Sequence, residues 1–300
     1  MTRPLLKFFS LTYAAAWICW TAALAISRGG RAASPALAAL ATAVFHLGVF
    51  APSLVALVLT ERAKITGGMG GRAATRALLQ RVLKWQVGAR WYVFAVGYIP
   101  AVKLLVAVVH RVATGAWPRF GQEPWYLMAV AIVFSTFVQA GEEIGWRGYA
   151  LPRLSARFGL APASVALGIL WASWHLPLFF FPGSNILGQS FPLYLLQVTA
   201  LSIAMAWLYW RTNGSLLLTM LMHAAVNNTK DIVPSAEPGA ANSLALSTSL
   251  VAWLTVAFLW IAAGYFLFRM RKITTLPDDE ITGDVRREIP SATKSGSRFL

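Results

Sequence analysis

Eight apolar stretches, most of them about as long as a bilayer's ~30 Å hydrocarbon core demands, recur along this chain and leave it few folds to choose from. They run approximately from Phe8 to Ile26, Ala36 to Thr60, Trp91 to His110, Tyr126 to Ala140 with an extension toward Leu154, Pro162 to Phe181, Tyr194 to Trp210, Leu216 to Asn228, and Leu244 to Phe268. The seventh is short. In hydrocarbon every backbone N–H and C=O must find its partner within the protein, so runs of this kind predict helices. The expected fold is therefore all-α, a polytopic transmembrane bundle of about eight spans. Composition agrees, with 57% hydrophobic and only 12% charged residues and a mean hydropathy of +0.60.

The net charge of +15 would suggest a nucleic-acid partner in a soluble protein. Here the basic residues gather in alternate loops, which reports orientation instead, and no nucleic acid is expected. With the N-terminus in the cytoplasm, Arg3, Lys7, the run from Arg62 to Arg90, Arg147, Arg153, Arg157, Arg211 and the basic tail share one side. The other side keeps Arg28, Arg31, Arg111, Arg119 and Lys230, the asymmetry of the positive-inside rule. The prediction is a multi-pass protein of the cell (inner) membrane with both termini cytoplasmic. Ala23, Leu24 and Ala25 imitate a signal-peptide cleavage site, but the run before them is as long as a full span. The single cysteine, Cys19, excludes an intrachain disulfide framework.

Residues 1–272 are expected to form one integral membrane domain. Residues 273–300, with Pro277, Asp278, Asp279 and Glu280, offer little to bury and are expected to be a disordered cytoplasmic tail. Between the second and third runs, Gly67, Gly68, Gly70 and Gly71 precede Ala77, Leu78, Val82 and Trp85, which recur at helical spacing among arginines. That pattern fits a hinge followed by an amphipathic helix in the membrane interface, or equally a solvated loop. The glycines lack the Gly-Lys-Ser/Thr of a phosphate-binding loop, which excludes nucleotide binding there. The sequons at Asn213 and Asn227 are taken as chance matches, the first because it should face the cytoplasm and the second because it abuts a span.

The chemistry gathers in three places. The run Glu142-Glu143-Ile144-Gly145-Trp146-Arg147 places Glu143 and Arg147 one helical turn apart, where they can pair. Glu142 lies about 100° further round the helix and is free to face the bundle interior. A carboxylate in a low-dielectric pocket holds its charge reluctantly, which suits a base that must take a proton and return it. Trp171-Ala172-Ser173-Trp174-His175 then brings a histidine into the fifth span, with Pro177 after it to disturb the helix. Finally His223 and Asn227, at i and i+4, project from one face of the seventh span. Ionisable groups within spans are costly, and a lone one could simply solvate at an interface; two histidines, an asparagine and a glutamate pair on three spans point to a shared hydrated cavity. Glu142 would activate water for attack on a peptide carbonyl, His223 and Asn227 would donate to the oxyanion, and His175 would orient the water. His46 and His110 have no such company, and Lys103 is expected to snorkel.

Glu-Glu-x-x-x-Arg, aromatic-x-x-x-His and His-x-x-x-Asn, in that order, resemble the motifs of the CPBP (Abi) family of intramembrane endopeptidases, which includes the type II CAAX prenyl proteases. The motifs span Glu142 to Asn227, about the central third of the chain. The resemblance implies Glu142 as the catalytic glutamate, His175, His223 and Asn227 as the rest of the site, and Glu143 and Arg147 as supporting residues. Trp171 departs from the phenylalanine more usual there, and wall packing is expected of it. The helical His-Glu-x-x-His zinc signature is absent, and Asn227 is a poor zinc ligand but a good oxyanion donor. No cofactor is therefore expected; zinc, held by Glu142, His175 and His223, is the lesser alternative. The expected partners are a peptide or membrane-protein substrate and the lipid bilayer, with the cavity open toward the cytoplasmic leaflet. The rival readings are a transporter or channel using the polar cluster, and a non-catalytic bacteriocin-immunity membrane protein.

Overall fold

The computed structural model describes residues 3–28, 34–63, 71–182, 184, 186–234 and 242–273. Arg31, Lys64, the first three hinge glycines and the tail from residue 274 onward lie outside the described residues. Within them all regular structure is helical: α1 (Arg3–Arg28), α2 (Pro35–Val49), α3 (Ala51–Arg62), α4 (Gly71–Gln80), α5 (Ala89–Thr114), α6 (Trp125–Val138), α7 (Ala140–Glu143), α8 (Leu151–Phe158), α9 (Leu160–Trp174), α10 (Phe191–Arg211), α11 (Leu216–Thr229) and α12 (Leu250–Met270). A π-helical stretch, Ile144–Ala150, joins α7 to α8, and short 3₁₀ turns follow α4, α9 and α11.

Each of the eight expected apolar runs has become a helix or helix pair, but not eight equal spans. Among the described residues five helices are long and apolar enough to cross a bilayer, and six if α2 and α3, bent by 52°, form one broken span. At 1.5 Å per residue, α9 (15 residues) and α11 (14 residues) reach only about 21–23 Å. The protein is an all-α integral membrane bundle, with exposed apolar side chains such as Ile18, Val93, Phe134 and Ile261 on its outer helices.

The bend between α2 and α3 has a local cause and a structural consequence. Pro52, in the first turn of α3, has no N–H to continue the ladder from α2. The redirected α3 lies against the helix that carries the paired glutamates, and Ser53 Oγ donates to the Ala140 carbonyl at 2.5 Å. Such closeness requires glycine: a Cβ on Gly141 would stand 2.9 Å from the Phe50 ring, and one on Gly145 2.6 Å from the Pro52 backbone. This is the small-xxx-small device of close helix packing in membranes.

The bundle has two chemically distinct ends. At one, the 3₁₀ turn and loop after α4 meet the end of α10 and the start of α11: Arg81 donates to the Tyr209 hydroxyl at 2.9 Å and Ser215 Oγ to the Lys84 carbonyl at 2.6 Å. The same end joins the start of α9 to the residues after α12, through Leu160 N–H to Ile273 O at 2.8 Å. At the other, Gly121 N–H reaches Ile232 O at 3.1 Å and Phe191 N–H reaches Ser243 O at 2.8 Å. Lys84, Arg90, Arg153, Arg157, Arg211 and Arg271 belong to the first end. At the second, Arg111, Arg119 and Lys230 are offset by Glu123 and Asp231. α4 packs Ala74 and Leu78 inward and leaves Leu79 exposed near Leu83 and Trp85, consistent with an amphipathic interfacial segment.

Candidate active site

Glu142 sits near the middle of a continuous 34-residue helix, Trp125–Phe158, 17 residues (142 − 125) from one end and 16 (158 − 142) from the other. The charges that made the sequence look like a span ending near Ala140 are buried within the helix, because each finds its partner inside the bundle. This aligns the site in depth. Glu142 is about 24 Å along its helix from Phe158, and His175 about 22 Å along α9 from Leu160, at 1.5 Å per residue. The two starting points adjoin at Gly159, whose φ of +80° a side chain would strain.

The π-helical stretch begins directly after Glu143, as such turns often do at functional positions. Across it Arg147 donates to Glu143 Oε1 at 2.8 Å, the pairing expected from their spacing, with both side chains fully buried. The same carboxylate oxygen takes a second contact that no local spacing announces: His223 Nδ1, from α11, at 2.9 Å. The guanidinium also lies over the Trp171 ring, 4.3 Å from its centroid, a cation–π contact. Glu143 thus ties three helices to one anchor.

Glu142 is held differently. Its Oε2 accepts the Trp171 indole N–H at 2.7 Å and the Trp146 indole N–H at 3.3 Å. Trp171 does more than pack the wall, as had been expected of it: its N–H, which phenylalanine lacks, fixes the carboxylate. His175 follows α9 directly, where Pro177 turns the chain into the 3₁₀ segment Leu176–Phe180. Its Nδ1 lies 2.9 Å from the Trp171 carbonyl. A carbonyl only accepts, so this nitrogen carries the proton and Nε2 is left with a lone pair. At His223, Nδ1 facing a carboxylate is likewise the protonated nitrogen.

Glu142, His175, His223 and Asn227 all line one cavity of about 300 Å³, together with Trp171, Tyr194 and Lys103. The four residues singled out from the sequence are therefore brought together, while Glu143 and Arg147 stand behind them. His46 and His110 lie elsewhere, bonded to their own helix or the adjoining loop. Lys103 corrects the expectation that it snorkels: it is 2% exposed and reaches Thr255 Oγ1 at 3.4 Å. The sequon hydroxyls are engaged too, since Ser215 caps α11 and Thr229 Oγ1 bonds the Ala225 carbonyl at 2.6 Å. Among the described residues, no three His, Cys, Asp or Glu side chains converge at metal-binding separation.

Sequence reasoning passed over the roles of Trp146 and the Gly141/Gly145 pair, and misplaced Lys103. Only the glycines had a local signal, their four-residue spacing. The cavity also opens in an unexpected direction. Beyond the four site residues its wall includes Ile186 and Gln189 before α10, and Lys230 and Asp231 after α11, all at the less basic end of the bundle. A cytoplasmic location for the basic end and a cavity facing the cytoplasm are therefore incompatible.

Residues 123–229, which include Glu142, Glu143, Arg147, Trp171, His175, His223 and Asn227, match the family model described as Type II CAAX prenyl endopeptidase Rce1-like. Over 98 residues the chain is 33% identical to CAAX prenyl protease 2 of Methanococcus maripaludis. That stretch covers 31% of this chain and 36% of the relative, so the alignment spans about a third of each protein. Both matches fall on the part of the chain that carries the motifs, and what they show is a similarity to type II CAAX prenyl endopeptidases over that part.

Proposed function

We propose that this protein is an intramembrane endopeptidase that hydrolyses peptide bonds with a glutamate-activated water and no metal. The observation that carries the reading is the convergence of Glu142, His175, His223 and Asn227 on one cavity. Glu142, oriented through Oε2 by two indole N–H groups, presents its remaining oxygen to a water. His175 Nε2 is an acceptor and holds that water's second proton. Asn227 donates its amide to the carbonyl oxygen as negative charge develops there. For His223 to donate beside it through Nε2, both ring nitrogens must carry protons, because Nδ1 already donates to Glu143.

The donor set fits this scheme better than zinc, because Asn227 is a poor zinc ligand and, among the described residues, no three His, Cys, Asp or Glu side chains lie at metal-binding separation. The similarity to CAAX prenyl endopeptidases over residues 123–229 favours a peptide substrate over transport or passive immunity. The test is purified protein reconstituted in lipid and incubated with a library of peptides, read by mass spectrometry. Cleavage by the wild type and its loss in Glu142→Ala and His223→Ala are expected. Undiminished turnover in both variants refutes the role assignment. A membrane proteome from cells carrying Glu142→Gln should accumulate the uncut client.

A further inference from the structure

We propose that the cavity receives its substrate from the non-cytoplasmic side of the membrane, so that its clients are peptide segments exposed there or buried in the outer leaflet. The inference rests on the peptidase reading for the word substrate, but its geometry stands alone. α5, α9 and α11 run from the basic end of the bundle to the other, and α10 and α12 run back. On α10 the wall residues are Tyr194, Gln197, Val198 and Leu201, all from its first half. On α12 they are Thr255 and Leu259, again near the start, and on α11 they are His223, Val226 and Asn227, from the second half. Lys230 and Asp231 continue the wall to the end of the bundle.

Toward the basic end the space is closed. Trp146, Arg147, Tyr149 and Leu151 are buried there, with Phe8 of α1 packed on both Trp146 (5.7 Å) and Tyr149 (4.9 Å). Arg81 and Tyr209 form a further buried layer outside them. The positive-inside rule puts the end bearing Lys84, Arg90, Arg153, Arg157 and Arg211 in the cytoplasm, so the open end faces the other way. A cytoplasmic carboxyl-terminal peptide would have to cross this aromatic floor to reach Glu142. Segments of exported or membrane proteins on the far side need not. The mouth suits a polar chain, because Lys103, Lys230, Asp231 and Gln189 share its wall.

The experiment separates orientation from catalysis. In a Cys19→Ala background, Glu123→Cys marks the open end and Gln80→Cys the basic end; both positions are exposed. A membrane-impermeant maleimide should label Glu123→Cys in intact cells and Gln80→Cys only in inside-out vesicles. The reverse pattern overturns the proposal. A fluorescent protein fused at the C-terminus gives the same orientation should either variant fail to accumulate, since α12 ends at the basic end. In a second arm, an impermeant quenched peptide should be cut by intact cells and not by Glu142→Ala cells, whereas cutting confined to inside-out vesicles contradicts the proposal. Labelling as expected with no cleavage in either preparation supports the orientation and refutes the peptidase reading.

Discussion

The buried ion pair behind the cavity gives the sharpest stability prediction. Arg147 and Glu143 are 2.8 Å apart with no exposed side-chain surface, and the same Glu143 oxygen receives His223. Arg147 Nε and Nη2, and Glu143 Oε2, have no hydrogen-bond partner among the described residues. The pair is therefore incompletely satisfied, and breaking one side leaves a bare charge. Removing one partner of a buried pair typically costs about 3–5 kcal/mol. At about 2–4 °C per kcal/mol for a domain near this size, Glu143→Gln or Arg147→Met should each lower the Tm by roughly 6 to 20 °C. The double variant removes both charges and leaves the Gln carbonyl to accept from His223, so it should recover most of that loss. The assay is thermal unfolding in a fixed detergent, with a double-mutant cycle to extract the coupling. Single variants that shift the Tm by less than about 3 °C, or a double variant as damaged as the sum of the singles, refute the account of this anchor.

Trp171→Phe keeps the ring but deletes the 2.7 Å N–H bond to Glu142. A hydrogen bond to a charged group contributes about 1.5–3 kcal/mol, so kcat should fall about tenfold or more with KM little changed; wild-type turnover would show that the indole only packs. Gly145→Ala places a Cβ 2.6 Å from the Pro52 backbone, and overpacking of that kind should cost about 1–3 kcal/mol in thermal stability. An unaltered Tm would mean that α3 does not lie where described. Dialysis against a chelator should leave peptide cleavage unchanged, and loss of activity restored by zinc would overturn the metal-free assignment.

How much of this was legible in the sequence follows from what hydropathy can and cannot report. Apolar runs mark helices because lipid allows little else, so the all-α bundle was readable. Direction was not: Ala36 to Thr60 reads as one straight run, although Pro52 carried the signal for a break. The helix bearing Glu142 seemed to end early because its charges lower the local hydropathy, and only the fold shows that Trp171, Trp146 and His223 satisfy them. Spacing revealed Glu143 with Arg147 and His223 with Asn227, both short-range. The contact between Glu143 and His223 joins residues 80 apart and leaves no local trace. Lys103 was misjudged for a related reason, since hydropathy does not distinguish a lipid-facing lysine from one that lines a cavity.

The central claim is that Glu142 delivers water to a peptide bond inside this cavity. Cleavage of a defined peptide by the reconstituted protein in ¹⁸O-enriched water measures it directly, with Glu142→Gln as the paired sample and its Tm recorded to confirm folding. The account predicts one solvent oxygen in the new carboxyl group from the wild type and no product from a folded Glu142→Gln. Equal cleavage by both proteins would contradict it.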